Sequence, residues 1–206
     1  MEAGEDGGAV APSTRPTRVL VVGAHHGVGA LVVERARQRS WSVTPFEGDA
    51  LDAAAVSRAV EGQDAIISTL GPRKDSAGDL CSRGTENIIA AMKAHGVRRI
   101  VQVTGAMIGH PKDRLGLVYR AIAAAVPEAA LNDRRLQERI VVESGLDRTL
   151  VRPTRLTDEP PRGVFRDGER ERIGAFARIS RADVAEALVR AVVRPDAVGR
   201  AWTLQY

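Results

Sequence analysis

Three glycines within seven residues form the first feature able to do chemistry. They lie in Val21-Val22-Gly23-Ala24-His25-His26-Gly27-Val28-Gly29, directly after an apolar run and directly before an amphipathic one. In that context Gly23 permits a tight strand-to-helix turn, Gly27 lets backbone approach a pyrophosphate, and Gly29 lets the helix lie close on a sheet. Free N–H groups at the helix start attract phosphate. The other reactive residue types are scattered: one cysteine, Cys81, and four histidines, His25, His26, His95 and His110. A single cysteine excludes an internal disulfide and a multi-cysteine metal site, and it suits a reducing, cytoplasmic setting. No metal centre is expected.

The elements that must position these residues can be read from periodicity. From Arg18 onward, short β-branched runs alternate with Ala- and Arg-rich amphipathic stretches, the pattern of repeated strand–helix units and a parallel sheet. Strands are predicted at Val19–Val22, Ser42–Phe46, Ala65–Thr69, Arg99–Thr104 and Thr149–Arg152, with a short one at Trp202–Leu204. Helices are predicted near Val28–Arg39, Ala53–Val60, Gly84–His95, Leu115–Val126, Asn132–Ser144 and Arg181–Val193. Asn132 or Asp133 can cap the fifth of these, Gly145 can close it, and Ser180 can cap the last with Asp183 in its first turn. Residues 1–17 mix Gly, Pro, Ala and acid without apolar periodicity and read as a disordered tail, leaving 18–206 as a single domain.

Composition bounds the function. The 206 residues are 44% hydrophobic and 27% charged, which is globular, and only 3% aromatic, which leaves nucleobases few rings to stack on. The formal charge is +4, and 27 of the 30 basic residues are arginine, interleaved with 26 acidic ones as on a solvated surface. Neither a nucleic-acid partner nor a membrane partner is expected, since no apolar run approaches the roughly 20 residues of a span.

Taken with the turn, several further segments resemble the atypical short-chain dehydrogenases/reductases with NmrA-like NAD(P)-binding domains, in particular their biliverdin and flavin reductase branch. These are Gly48-Asp49-Ala50-Leu51-Asp52, Gly62-Gln63-Asp64-Ala65-Ile66-Ile67, Asn87 to Val97, Glu143-Ser144-Gly145-Leu146 and Val151-Arg152-Pro153. The resemblance implies an α/β, Rossmann-like, doubly wound and mainly parallel sheet, with NADP or NAD across the carboxyl ends of its strands. It implies cofactor contacts from Gly23, His25, His26, Gly27, Val28 and Gly29, from Asp49 and Ala50 beside the adenine, and from Leu70, Gly71 and Pro72. Thr104 and Gly105 would lie under the nicotinamide, with Pro153 and Thr154 nearby.

Three departures from the family pattern matter. The middle glycine of the commoner spacing falls on His26, so two imidazoles sit where phosphate should approach; they can donate to it or obstruct it, and Gly27 restores an alternative spacing. Phe46-Glu47 runs straight into Gly48-Asp49, so the sheet is expected to be shortened between its second and third strands, to five or six strands. No Arg or Lys lies between Arg39 and Arg58 to clamp a 2′-phosphate, whereas Glu47, about 24 positions after Gly23, can accept from a ribose 2′-hydroxyl. That favours NAD.

The third departure is the missing Tyr/Lys pair, because Tyr119 is followed four positions later by Ala123. A flavin or quinone can take its proton from water, so a reductase of such a small molecule or a related conjugated carbonyl remains the expectation. Loss of cofactor dependence in favour of isomerisation, cyclisation or dehydration is the alternative, and a dinucleotide sensor a third. Two pocket positions of the branch fall on Arg134 and Arg155, which would favour an anionic substrate if both face the pocket. His110, in the loop on the usual substrate side, and Thr104 complete the candidate catalytic residues.

Overall fold

A computed structural model describes residues 18–72, 78–108, 114–168 and 172–206. The tail expected over 1–17 and the candidate His110 lie outside these residues.

The chain runs β1 (Arg18–Val22), α1 (Gly27–Gln38), β2 (Ser42–Phe46), α2 (Ala53–Val60), β3 (Ala65–Ser68), α3 (Leu80–Ala94) and β4 (Arg99–Val103). It continues through β5 (Arg114–Leu115), α4 (Leu117–Ala124), α5 (Glu128–Glu143), β6 (Asp147–Pro153), β7 (Arg155–Thr157), β8 (Arg166–Gly168) and β9 (Arg172–Ile173). β10 (Arg178–Ser180), α6 (Arg181–Val193) and β11 (Ala201–Gln205) complete it.

Strand β1 shows why the sheet is central. Its side chains alternate between faces, Val19 and Val21 entering one apolar cluster and Leu20 and Val22 the other. Both faces are therefore covered, which is the condition for a parallel sheet. On one side Val32, Val33 and Ala36 of α1 pack with Val184, Leu188 and Val192 of α6. On the other, Val56 and Val60 of α2, Ile88 and Met92 of α3 and Val141 of α5 close the second layer. Each such side chain, fully buried, contributes about 1.5–3 kcal/mol, so these two layers carry most of the fold.

The main sheet has seven strands in the order β2-β1-β3-β4-β6-β11-β8, all parallel except β8, which runs antiparallel to β11. Connections leave β1 and β3 in opposite directions, making a switch point between them. The expected count of five or six strands is corrected to seven among the described residues. The shortening lies at the β2 side, where, among the described residues, no strand takes the place of a further strand in the 3-2-1-4-5-6 order and β2 is the edge. The extra strands join at the opposite side, and β8 is only three residues long, too short to show a period. Two small ladders, β7 with β10 and β5 with β9, stand over the carboxyl ends of the main sheet.

Two caps behave differently from each other. The Ser180 hydroxyl accepts from the Asp183 amide at 3.0 Å, as its position predicts. Asp133 does not cap its own helix, because α5 begins at Glu128, immediately after Pro127. Its carboxylate instead accepts from the amides of Cys81 (3.0 Å) and Ser82 (2.8 Å), capping α3 from a neighbouring element.

Candidate functional site

A cleft of about 610 Å³ opens beyond the carboxyl ends of the parallel strands at the switch point. Ligand pockets typically measure roughly 300–1,000 Å³.

The glycine turn forms one wall. Gly23 has φ +81° and is held by the Thr69 hydroxyl, which donates to the carbonyls of Val22 (2.9 Å) and Gly23 (3.1 Å). A Cβ on Gly29 would lie 2.0 Å from the Gly23 carbonyl oxygen, so only glycine lets α1 start this close to β1. Gly27 has φ +59° and open space on its cleft side, the nearest side chain being that of Arg181 at 3.8 Å. No side chain caps α1 at His26, and its first turn holds no acid, so its leading amides are available to an anion. His25 and His26 are exposed and line the cleft beside Val28.

At the end of β2, Glu47, Asp49 and Ala50 line the cleft with Phe46. Asp49 accepts from the Leu51 amide at 3.0 Å, and Asn87 donates to the Ala50 carbonyl at 2.9 Å, so this loop is braced from both sides. Two carboxylates, and no cation between Arg39 and Arg58, face the region where the dinucleotide fold places a ribose.

The floor comes from the ends of β3, β4 and β6. Leu70, Gly71 and Pro72 line it, with Thr104 and Pro153 further along. Arg134, reaching across from α5, donates through Nη1 to the carbonyls of Leu70 (2.9 Å) and Val103 (3.3 Å) and to Gln137 Oε1 (3.0 Å). Burial pulls its guanidinium below the ordinary arginine value, opposed by the nearby Asp133 carboxylate. Arginine nevertheless stays charged in proteins. Beneath it, Thr104 Oγ1 donates to Glu138 Oε2 at 3.0 Å, and Glu138 is ion-paired with the buried Arg152. Because its proton is committed to Glu138, the Thr104 hydroxyl offers the cleft only lone pairs.

Several expected residues are not brought to the cleft. Arg155 is exposed on β7 and does not join Arg134, since pairing with β10 turns it outward. Thr154 is buried and donates both its amide and its hydroxyl to the Leu204 carbonyl, each at 3.1 Å. Gly105 begins the short helical turn at Ala106–Ile108 rather than the cleft lining. Cys81 is buried, and burial pushes its thiol up to about 12, so it holds no thiolate at neutral pH. Tyr119 packs with Ala106, Ile173 and Ala177 instead of lining the cleft.

Sequence reasoning missed Arg181, Leu156, Thr69 and Glu138. Arg181 and Leu156 reach the cleft from segments where only a helix start and a loop are legible. Glu138 lies one helical turn after Arg134 on the inward face of α5, a signal that i, i+4 spacing could have raised. Among the described residues, no group of His, Cys, Asp and Glu could hold a metal ion, and no helix is long and apolar enough to cross a membrane.

A doubly wound parallel sheet with a glycine turn, uncapped helix start and open cleft at its switch point defines a dinucleotide-binding protein of the Rossmann class. The family described as NAD(P)H-binding matches residues 17–195, and the chain belongs to that family. It is 27% identical to an uncharacterised chloroplast protein of Arabidopsis thaliana, over 95% of this chain and 71% of that one. Its fold is that of ChuY, an anaerobillin reductase of Escherichia coli O157:H7 (TM-score 0.71, 24% identity, 91% of this chain and 96% of that one). It is also that of a short-chain dehydrogenase/reductase of Veillonella parvula solved with NADP (TM-score 0.73, 15% identity, 92% and 94%).

Proposed function

We propose that the chain is an NADH-preferring reductase that passes hydride to a conjugated small molecule such as a flavin, a quinone or a related conjugated carbonyl. The observation that carries this reading is Arg134: a cation on the cleft floor, at the ends of β3 and β4, in a site where the Thr104 hydroxyl can accept a hydrogen bond but has none to donate.

The nicotinamide, when bound, supplies the hydride, and the chain supplies binding and electrostatics. The amides at the start of α1 hold the diphosphate, while Glu47 and Asp49 accept from ribose hydroxyls and oppose a 2′-phosphate. Thr104, oriented by Glu138, accepts hydrogen bonds at the reactive end. Arg134 stabilises the negative charge that develops on the acceptor as hydride arrives. The tyrosine–lysine proton donor being absent, the acceptor takes its proton from water entering the open cleft. A flavin or quinone tolerates that, whereas an isolated ketone needs a positioned acid. ChuY's activity as an anaerobillin reductase is consistent with a conjugated acceptor.

Calorimetric titration with NADH, NADPH, NAD⁺ and NADP⁺ tests the reading, followed by the loss of reduced-nicotinamide absorbance with FMN and with a soluble quinone. NADH should bind at least tenfold more tightly than NADPH, and turnover should follow with one of the acceptors. Binding by none of the four forms overturns the proposal and supports cofactor-independent chemistry.

A further inference from the structure

Arg181 is the first residue of α6, yet its side chain lies across the mouth of the cleft, where its Nε and Cδ are 3.8 and 3.9 Å from where a Cβ on Gly27 would be. It comes from the far end of the sequence to the turn that opens α1. Its Nη1 is paired with Asp158 Oδ1 at 2.7 Å. The two partners are unequal: the Arg181 side chain is 31% exposed, whereas that of Asp158 is 88% exposed. The arginine is therefore held by the protein, while its counter-ion stands in water, where an ion pair is weak and screened.

Resting on the dinucleotide reading above, we propose that Arg181 grips the diphosphate of the bound dinucleotide, exchanging Asp158 for it. A diphosphate offers more charge than one carboxylate and several oxygens to a planar guanidinium fork. Gly27 has no side chain to separate the two, so ligand oxygens resting on the α1 amides also come within reach of Arg181. Asp158 then acts as a placeholder: it keeps the guanidinium at the cleft mouth in the empty protein and competes with the ligand. The neighbouring charges Glu159, Arg162 and Arg178 pair with one another rather than with Arg181.

The opposed roles of the two partners make the test specific. NADH, ADP-ribose and adenosine are titrated into the wild type, Arg181→Ala, Arg181→Lys and Asp158→Asn, each first checked for an unchanged melting transition. Arg181→Ala should weaken NADH and ADP-ribose alike by roughly tenfold to a hundredfold, the range of a charged hydrogen bond, and leave adenosine unaffected. Arg181→Lys should restore part of the loss. Asp158→Asn should tighten NADH and ADP-ribose several-fold, an effect that loss of a merely structural ion pair would not produce. Unchanged NADH affinity in Arg181→Ala, or weaker binding in Asp158→Asn, overturns the inference. If the wild type binds no dinucleotide, the cofactor reading falls and this inference with it. If it binds and Arg181→Ala matches it, only the inference falls.

Discussion

Arg134 keeps its charge on the cleft floor although the oxygens that hold its Nη1, those of Leu70, Val103 and Gln137, are all neutral. Charge not cancelled by a bonded carboxylate is available to a reacting molecule, and inside a cleft it is less screened than in water. Arg134→Gln should lower kcat by about 10²–10³-fold, the usual effect of losing one such donor, while the Kd for NADH stays within a few-fold. Stopped-flow hydride transfer and calorimetry separate the two quantities. Gly71 protects the arrangement, since a Cβ there would lie 2.8 Å from Arg134 Nη2. Part of this cleft is visible in the residue types: the glycine turn and Glu47 follow from spacing, whereas Asp49, Ala50, Leu70, Thr104 and Arg134 are implied only by the family resemblance. Arg155 and Thr154 do not reach it, because one is turned outward by the β7–β10 ladder and the other is bonded to β11. Those are decisions of strand pairing, which no local pattern encodes.

Asp133 shows the same limit among elements. The sequence places it as a cap of its own helix, whereas the helix it caps is α3, through the amides of Cys81 and Ser82. A carboxylate at a helix start satisfies orphan donors and complements the positive end of the helix. Asp133→Ala should therefore destabilise the protein by about 2 kcal/mol, read as a lower urea midpoint. The loss should exceed that for Asp79→Ala, whose side chain makes no cap bond to α3. Helices α1, α2 and α6 lie close to their expected bounds, because each has a clear apolar stripe. Helix α5 starts earlier than expected because its first turn, Glu128 to Leu131, buries no side chain and so adds nothing to the inward stripe, while Pro127 supplies the actual break. The strands that escaped notice are two or three residues long and exist through their partners.

At the scale of the molecule, two acidic groups of α6, Asp183 and Glu186, couple folding to pH. Burial works to raise the Asp183 carboxyl, but hydrogen bonds from the Tyr206 hydroxyl, the Arg162 and Gly163 amides and the Ser180 hydroxyl hold it below the ordinary value. Glu186 is likewise raised by burial but lowered overall by Arg190 and Arg39. A carboxyl whose pKa is depressed on folding contributes stability that is present above its unfolded value, near 4, and is lost as pH falls through the folded one. Unfolding free energy should therefore be flat from neutrality to about pH 5 and decline below about pH 4. Asp183→Asn should cost roughly 2 kcal/mol or more at pH 7 and flatten the acid limb; urea titrations across that range measure both. The strand–helix alternation of the Rossmann frame is legible from alternating periods, and its shortened side from the Phe46–Gly48 junction set against the family pattern, while β8 at the opposite side is not legible. The shortened side has a bearing on how copies of the chain meet. Among the described residues no strand lies outside β2, and an open sheet edge invites another chain to continue the ladder. Pro45, the fourth of its five residues, has no N–H to offer and breaks the row of donors that a newcomer would need. A strand arriving at that edge would find the ladder interrupted at Pro45.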